Sequence, residues 1–481
     1  MNRPEGGYAG YLARAAEHWP SRAALRFEGS TWTYGELDRA VNRVADCLAA
    51  KGISERDRVA LLIENRPEYL IAQFAIARLG AAFVTPNPHW TEPELTRALA
   101  AAAVTAAVHG ERFDGLADAL STGIRADSLF TAASQRAPDP AAAPDTLRYI
   151  PFSSGTTGLP KGVLHTDASL CGGVEQLRAH LSLSADDRVP IGLPLCHIFG
   201  ATMCAAAFAV GAELTLFTRF DLDTMLRHIA AGNATVLPIA GTVAHQLAER
   251  KDLRPQDFAA VRYFMWGGSG VPAALADRIT TRTGIRFLCS YGMTEAMMVA
   301  FNPVHNQQDW RLDSPGYPTM GTEIRLTPAG ELEVRGPSVA AGYAGREAPE
   351  FGPDGWFRTG DVATVDDNGR LHIVDRAKDM VKVSGFQVAP AEVEAALLEH
   401  PAVDDAGVTG RPDDRTGEAV VAFIVTSTAV TRDALTDWLR GRLASYKRPR
   451  EFHFVTELPR TASGKLRRGE LLAPDVGCQF E

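Results

Sequence analysis

Apolar and polar residues alternate in blocks along the first 110 residues, and the blocks predict helices and strands in turn. Thr33 and Glu36 have the spacing of a capping box, and apolar residues then recur at helical spacing over 37–48. Strands are predicted at 58–63, 82–86 and 104–110, and helices at about 67–79 and 92–102. Apolar strands separated by helices are typical of a parallel sheet covered on both faces.

After the first 110 residues the sequence pattern changes twice. A linker rich in Pro, Ala and Asp spans 134–146, after which the α/β alternation resumes to about residue 300. Short strands between glycine turns then predict a β-rich stretch over 321–374. The predicted fold class is α/β, with a large N-terminal domain (residues 1–375) that combines parallel αβ layers and a β-rich portion.

A smaller unit begins near residue 376. Pro390 stands in the first turn of a predicted helix, where its missing N–H is harmless. A buried strand is predicted at 419–425, and Thr431 is placed to cap a second helix before a last strand near 452–455. Residues 376–481 are therefore predicted to form a small α+β C-terminal domain.

Composition and charge are those of an ordinary globular protein. The chain has 481 residues, of which 46% are hydrophobic and 22% charged. A net charge of −9 argues against a nucleic-acid partner, so any nucleotide must be held by a local site. The apolar run at 189–212 contains prolines and glycines, which favour a buried strand, loop and helix over a membrane span.

Cysteine and lysine usage adds two expectations. The cysteines are scattered, form no C-x-x-C pair, and follow an N-terminus without an apolar leader, so a reducing cytoplasm is expected. Lysine occurs only seven times among 49 basic residues. A position that keeps lysine in so arginine-rich a chain is a candidate for a site that needs a compact ammonium.

The strongest chemical signal is the segment 149–162, in which a strand enters a loop of glycines and hydroxyl residues that ends at Lys161. Backbone N–H groups, hydroxyls and a nearby ammonium are the components of a polyphosphate cradle. The spacing does not match a Walker A loop. The alternative is a flexible surface loop. The residues predicted to hold phosphate are Ser153, Ser154, Gly155, Thr156, Thr157 and Lys161.

This loop resembles the phosphate loop of the adenylate-forming acyl-CoA synthetase superfamily, in the branch similar to 4-coumarate–CoA ligases. Further segments resemble that superfamily in the same order, and together they span nearly the whole chain: PLCHIFG (194–200), WGGSGVP (266–272), YGMTEA (291–296), GWFRTGD (355–361), DRAKDMVKVSGFQVAPAEVE (375–394) and PRTASGK (459–465). The resemblance implies ATP, Mg²⁺ and coenzyme A as cofactor and substrates, and a small-molecule carboxylic acid.

The resemblance also implies roles for individual residues. Glu295 is expected to bind Mg²⁺, and Thr294 to donate to the α-phosphate. Asp361 would accept the ribose hydroxyls, although in isolation it fits a turn residue equally well. The wider set expected around ATP and coenzyme A is Gly268, Tyr291, Gly292, Met293, Thr294, Asp361, Arg376, Lys382 and Gln387.

Three further residues match positions that act on the reaction or on domain movement. Lys465 matches the lysine that reaches the forming acyl-phosphate bond, with a solvated basic tail as the alternative. Lys378 matches the hinge about which the small, mobile domain rotates to admit the thiol. His197 resembles the histidine near the reacting carboxylate, although a lone histidine in an apolar run is more often a core residue.

The expected acid pocket contains no cation. Its segments match 197–204, 236–242, 267–270 and 293–300, which carry neither Arg nor Lys, and this disfavours a second carboxylate on the substrate. Met297 and Met298 replace a Gly-Pro pair of the related ligases and are expected to shorten the pocket. The residues predicted to line it are Phe199, Gly267, Met297 and Met298.

The leading interpretation is an AMP-forming ligase that joins a small-to-medium apolar or aromatic monocarboxylate to coenzyme A. One alternative is a stand-alone adenylating enzyme whose acceptor is a carrier-protein thiol, an amine or no thiol, including relatives that activate nitrite to form diazo groups. Another is a non-catalytic nucleotide sensor or scaffold. The joint presence of Lys161, Glu295 and Lys465 argues against that last alternative.

Overall fold

The computed structural model describes residues 3–129, 143–153, 160–239, 241–267, 271–383, 386–413, 415–461 and 464–473. In these residues the α-helices are α1 (Gly10–His18), α2 (Tyr34–Ala50), α3 (Pro67–Arg78), α4 (Glu92–Ala101), α5 (Asp114–Ala117), α6 (Asp167–His180), α7 (Ile198–Phe208), α8 (Leu222–Ala230), α9 (Gly241–Glu249), α10 (Ala273–Thr283), α11 (Pro390–Leu398) and α12 (Arg432–Arg440).

The strands of the N-terminal part are β1 (Ala23–Phe27), β2 (Ser30–Thr33), β3 (Arg58–Leu62), β4 (Ala82–Thr85), β5 (Ala106–His109), β6 (Thr122–Arg125), β7 (Leu147–Ser153), β8 (Lys161–Thr166), β9 (Arg188–Ile191), β10 (Glu213–Leu216), β11 (Val236–Ile239), β12 (Tyr263–Trp266), β13 (Phe287–Tyr291), β14 (Ala300–Phe301), β15 (Tyr317–Pro318), β16 (Glu323–Leu326), β17 (Glu331–Arg335), β18 (Gly342–Tyr343), β19 (Phe357–Val365) and β20 (Leu371–Arg376). The C-terminal strands are β21 (Val381–Val383), β22 (Phe386–Val388), β23 (Asp405–Asp413), β24 (Gly417–Val425) and β25 (Glu451–Phe454).

The sequence-predicted elements are present, and local chemistry explains their boundaries. Thr33 accepts a hydrogen bond from the Glu36 N–H and Glu36 caps the Thr33 N–H, so the predicted capping box opens α2. Pro390 occupies the first turn of α11, and Thr431 caps α12 through the Ala434 N–H.

The largest sheet carries the phosphate-loop strands. Its strand order is β18-β8-β7-β4-β3-β5-β6. The strands β7, β4, β3, β5 and β6 are parallel as predicted, whereas β8 and β18 are antiparallel and form one edge. The antiparallel edge adds two strands, β8 and β18, to the predicted parallel layer. The short connection 154–160 allows an antiparallel return of the chain but not a crossover helix.

Two further sheets bring the remaining motifs toward this edge. In the sheet β11-β12-β13-β14-β15, the strand β13 ends at Tyr291, the first residue of the YGMTEA segment. In the antiparallel sheet β16-β17-β19-β20, Asp361 on β19 lies opposite Arg376 on β20. A fourth sheet, β2-β1-β10-β9, completes the N-terminal part and packs with α7 and α2 in the main hydrophobic core.

The C-terminal residues form their own layer. The strand order β22-β21-β24-β23, with β25 parallel to β24, makes one sheet, and a hydrophobic core confined to residues 381–443 lies beneath α11 and α12. In the described part of the chain, the connection from the N-terminal sheets to this sheet is the turn between β20 and β21, which contains Lys378. Among the described residues, no helix combines the length and apolarity that crossing a bilayer requires.

Candidate active site

The site centres on a tight turn that holds Glu295. Met293 and Ala296 exchange backbone hydrogen bonds across the turn, and the Ala340 N–H donates to the Glu295 carbonyl at 2.8 Å. A Cβ on Gly292 would lie 2.0 Å from the Met297 carbonyl oxygen, so only glycine fits where this turn closes. The turn thereby fixes the backbone that presents Thr294 and Glu295.

The Glu295 carboxylate faces the two ends of the phosphate loop. Its Oε1 accepts hydrogen bonds from the Ser153 hydroxyl at 2.8 Å and the Tyr343 hydroxyl at 3.1 Å. Lys161, on the other side of the loop, begins β8 and lies 3.8 Å from the Glu350 carboxylate. Two predicted phosphate ligands, Ser153 and Lys161, are thus brought beside the predicted metal ligand.

A second group of side chains lies where β13 meets β19 and β20. Asp361 is buried, and its Oδ1 accepts from Arg376 Nε at 2.7 Å while its Oδ2 accepts from the Tyr291 hydroxyl. Burial raises the pKa of Asp361, and Arg376, Tyr291 and the charge of Lys465 oppose that rise. The Tyr291 hydroxyl therefore helps to fix the carboxylate predicted to bind ribose.

Lys465 projects from a closed loop of the C-terminal domain. The loop is held by backbone hydrogen bonds from Thr461 to the Lys465 carbonyl and from Gly464 to the Thr461 carbonyl, both at 2.8 Å. Gly464 adopts a left-handed conformation, with φ of +84°, where a side chain would be strained. The flanking arginines, which suggested a solvated basic tail, pair with carboxylates of their own domain: Arg460 with Asp405, Arg467 with Glu470 and Arg468 with Glu394.

Lys465 itself reaches the N-terminal part of the chain. The Lys465 side chain is exposed to solvent, and the protein that lines the cleft weakens its solvation and lowers its pKa. The Arg376 charge lowers that pKa further, whereas Asp361 and Glu295 raise it. Lys465 thus lies within electrostatic range of Asp361 and Glu295, the two carboxylates predicted to bind ATP and Mg²⁺. Both are more than 80 residues away from Lys465 in the chain.

His197 belongs to the same cleft. It stands at the N-terminal end of α7 with an accessible side chain, so the alternative of a core histidine does not hold. Surrounding protein lowers its pKa, and the charge of Lys465 lowers it further. Because its ordinary pKa is 6.5, His197 is neutral at pH 7.

The predicted pocket residues fall into two groups. Phe199 is half-buried at the start of α7, and Gly267 is exposed at the end of β12, where a Cβ would lie 2.9 Å from the Ser290 hydroxyl. Met297 and Met298 are buried and pack in the main core. The Met297 sulfur lies 2.3 Å from where a Cβ on Gly173 of α6 would stand. The role of the two methionines in the pocket stays a prediction.

The C-terminal residues predicted for hinge and thiol binding lie on the accessible side of their domain. Lys378 is exposed in a turn closed by hydrogen bonds from Asp379 and Met380 to the Arg376 carbonyl. Lys382 is exposed on β21, with its N–H donating to Glu418. The predicted residues Ser154, Gly155, Thr156, Thr157 and Gly268, and the side chain of Gln387, lie outside what the structure describes.

Two residues that were not predicted from the sequence form hydrogen bonds with Thr294 and Glu295. His165 is fully buried, with Nε2 donating to the Thr294 carbonyl at 2.7 Å and Nδ1 placed 3.1 Å from the Ser169 hydroxyl. Tyr343 donates to Glu295. A polar histidine within an apolar strand was the available signal for His165, but no local pattern marks Tyr343.

Comparison with known families agrees with this geometry. Residues 12–344 match the model of the AMP-binding enzyme family, and residues 392–465 match the AMP-binding enzyme C-terminal domain. The chain belongs to the AMP-binding enzyme family. The predicted superfamily, the fold class and the assignment to the ligases are thereby confirmed.

Full-length relatives show the same relationship. Feruloyl-CoA synthase of an Amycolatopsis species is 35% identical, over 97% of this chain and 98% of that protein. 4-coumarate–CoA ligase 5 of Oryza sativa is 33% identical, over 92% and 90%. The crystal structure of o-succinylbenzoate CoA synthetase from Bacillus subtilis with its acyl-adenylate intermediate superposes with a TM-score of 0.88 at 31% identity, covering 97% and 98%.

Proposed function

We propose that this protein activates a small-to-medium apolar or aromatic monocarboxylate with ATP and transfers the acyl group to coenzyme A. The observation that carries the proposal is that Lys465 lies within electrostatic range of Glu295, Asp361 and His197. The packing of a mobile domain does not require the Lys465 ammonium to lie near these groups, whereas adenylation requires a cation at that place.

In the first half-reaction, a carboxylate oxygen of the acid attacks the α-phosphorus of ATP. An O–P bond forms, the bond to the bridging oxygen breaks, and pyrophosphate leaves. Two anions must meet for this step, so cations and donors have to screen the charge that develops on the phosphoryl oxygens. Lys465 supplies one ammonium and Lys161 a second, while neutral His197 can donate a hydrogen bond to the acid.

The nucleotide is proposed to lie between Glu295 and Asp361. Tyr291 and Arg376 hold the Asp361 carboxylate in place before ATP arrives, so the ribose hydroxyls meet an acceptor that is already oriented. Ser153 and Lys161 flank the polyphosphate.

The residues present fit a magnesium ion bound mainly through the nucleotide. The described residues contain no group of three or more His, Cys, Asp or Glu side chains able to bind a metal. Mg²⁺ usually takes one or two carboxylates and completes its shell with phosphates and water. Glu295 supplies such a carboxylate, and the relative from Bacillus subtilis was crystallised with ATP and a magnesium ion. Bound there, Mg²⁺ would neutralise phosphate charge.

In the second half-reaction the thiol sulfur attacks the acyl carbon. A C–S bond forms, the C–O bond to AMP breaks, and the thiol proton passes to solvent. Lys465 occupies the cleft in this structure, so we propose that residues 376–481 rotate about Lys378 to admit the thiol. The exposed turn at Lys378 supports this, because it is the one chain connection between the two sets of sheets described. Lys382 and Gln387 would then line the pantetheine path.

The charges of the predicted pocket segments restrict the class of acid that can bind. The segments 197–204, 236–242, 267–270 and 293–300 contain neither Arg nor Lys, so a distal carboxylate would be buried without a partner, at a cost of several kcal/mol. Among acids named for the relatives, feruloyl and 4-coumaroyl groups satisfy this condition and succinylbenzoate does not. A hydroxycinnamate-like or simpler aromatic monocarboxylate is the proposed class.

A panel of acids tests the proposal. Pyrophosphate release is measured with benzoate, cinnamate, 4-coumarate, ferulate, o-succinylbenzoate, malonate, long-chain acids and nitrite, with and without coenzyme A. Mass spectrometry then identifies the product. We expect release with aromatic monocarboxylates and an acyl-CoA product. Acyl-AMP that accumulates in the presence of coenzyme A would favour another acceptor, and release with nitrite alone would favour the diazo-forming alternative.

A further inference from the structure

Tyr343 lies between the two charged groups that bracket the nucleotide. The short strand β18 pairs with β8, opposite Val163, and the Ala344 N–H donates to the Gly162 carbonyl at 2.8 Å. Val163 is two positions from Lys161 in β8, so this pairing fixes the backbone of Tyr343 close to Lys161. Only 7% of the Tyr343 surface is exposed.

The hydroxyl of Tyr343 acts on Glu295. It donates to Glu295 Oε1 at 3.1 Å, and the Ser153 hydroxyl donates to the same oxygen at 2.8 Å. Within the described part of the chain, no hydrogen bond reaches Oε2. The two donors thus restrict the carboxylate to one orientation and leave its second oxygen available to a cation.

The ring of Tyr343 acts on Lys161. The Lys161 ammonium lies 5.0 Å from the ring centroid, and the Arg346 guanidinium lies 5.0 Å from the same centroid. Glu350 offers Lys161 a competing carboxylate at 3.8 Å. An ammonium that contacts an aromatic face keeps its positive charge and its N–H donors available to another ligand. In a close ion pair, the carboxylate would already occupy those donors.

Burial raises the pKa of the Tyr343 hydroxyl, and the neighbouring Glu295 raises it further. A phenol hydroxyl is protonated at neutral pH in any case, so it donates toward the carboxylate.

We propose that Tyr343 is a positioning residue that orients Glu295 through its hydroxyl and Lys161 through its ring, so that one side chain sets the separation of the metal ligand and the phosphate ligand. This inference rests on the proposed function, in which Glu295 serves Mg²⁺ and Lys161 serves the polyphosphate. The hydroxyl and the ring perform separable tasks, so two substitutions distinguish them.

The test measures ATP binding by calorimetry without any acid, at a series of Mg²⁺ concentrations and in EDTA. Tyr343→Phe keeps the ring and removes the hydroxyl. We expect the Mg²⁺ concentration for half-maximal ATP binding to rise about tenfold or more, the usual effect of losing one hydrogen bond to a charged group, with binding in EDTA unchanged. Tyr343→Leu removes both functions, and ATP binding in EDTA should also weaken about threefold to tenfold.

The matched control is Tyr317→Phe, which removes another tyrosine hydroxyl bonded to a carboxylate, Asp309, at 3.1 Å and away from the cleft. It should leave both binding constants as in the wild type. Thermal melts check that the variants fold, and Tyr343→Met replaces Tyr343→Leu if the latter does not.

Unchanged Mg²⁺ dependence in Tyr343→Phe would overturn the role of the hydroxyl, and equal EDTA binding in the Phe and Leu variants would overturn the role of the ring. Failure of the proposed function gives a different result. In that case the wild type binds ATP with Mg²⁺, and Tyr343→Phe shows the predicted shift, but no acid on the panel releases pyrophosphate.

Discussion

Each carboxylate in the cleft is oriented by two side chains from other segments of the chain. Asp361 is oriented by Tyr291 and Arg376, and Glu295 by Ser153 and Tyr343. Lys465 has no such short ion pair among the described residues, although Asp361 and Glu295 raise its pKa. An ammonium held near carboxylates without a close partner is available to a substrate anion.

Lys465→Ala should lower acyl-AMP formation by about 10²–10³-fold, the typical loss of one donor that stabilises transition-state charge. Transfer from pre-formed acyl-AMP to coenzyme A should survive, because the lysine loop must leave the cleft before the thiol enters. Pyrophosphate release and single-turnover transfer are measured separately, with exposed Lys251→Ala as the control. Near-normal pyrophosphate release by Lys465→Ala would refute the assignment.

The lowered pKa of Lys465 has a consequence for the pH profile of adenylation. The step needs the protonated ammonium, so kcat should fall as pH rises through a pKa below the ordinary 10.5. Lys465→Arg should be slower but keep its charge, since arginine titrates above about 12. We expect the alkaline limb of its kcat profile to lie at higher pH than that of the wild type. Coincident limbs would assign the limb to another group.

Secondary-structure elements hold the site through a few buried contacts. The strand β8 supports the Glu295 turn because His165 donates to the Thr294 carbonyl. On the other side of the turn, Met297 packs against Gly173 of α6, where the absence of a side chain makes room for the methionine. Each contact joins an element outside the sheet of β13 to the turn that follows β13.

His165 should make stability depend on pH in a defined direction. Burial lowers its pKa from 6.5 to about 4, so between these values the unfolded chain binds a proton that the native state does not. Its contribution is fully present above pH 6.5 and is lost as pH falls toward 4, amounting to about 3 kcal/mol. Urea unfolding of wild type and His165→Gln should show this difference, with exposed His89→Gln as the control. A pH-independent difference would contradict the prediction.

Met297→Gly should enlarge the acid pocket if the methionine limits it. Each buried methylene is worth about 0.8 kcal/mol, so bulkier acids should gain kcat/KM by roughly one to two orders of magnitude while small acids lose. The acid panel measures the size profile, and a thermal melt measures the loss of packing against Gly173. Lower stability with an unchanged size profile would assign Met297 to core packing alone.

The whole molecule is two packed units joined by one turn. The C-terminal residues have their own sheet and core, and the observed arrangement brings Lys465 to the cleft. Asp375 accepts a hydrogen bond from the Ala391 N–H at 2.8 Å, so the last N-terminal strand also contacts the start of α11. Rotation about Lys378 would have to break that contact.

Lys378→Pro should separate the two half-reactions. Proline fixes φ near about −65° and removes one domain orientation, so one half-reaction should persist while the other falls. Lys378→Ala, which leaves the backbone free, is the matched control and should keep both. The two half-reactions are assayed as for Lys465→Ala. Equal loss of both in a folded Lys378→Pro protein would count against a hinge at this position.

The sequence by itself determined the local features of this protein. The capping box at Thr33, the proline at the start of α11 and the apolar strand periods depend on neighbours a few residues apart, so pattern and propensity were sufficient to predict them. The motifs also predicted site roles for Lys161, Glu295 and Lys465, because reaction chemistry restricts which residue types can serve, and these roles stay predictions.

Only the tertiary structure decided how these parts meet. The antiparallel edge β8-β18, the hydrogen bond from Tyr343 to Glu295 and the contact of His165 with Thr294 join segments 48 to 180 residues apart. Such pairs depend on strand order and register, which are selected by packing of the whole core and leave no local pattern in the sequence. The motifs were therefore sufficient to predict candidate residues for the chemistry, whereas the residues that orient them became visible only in the fold.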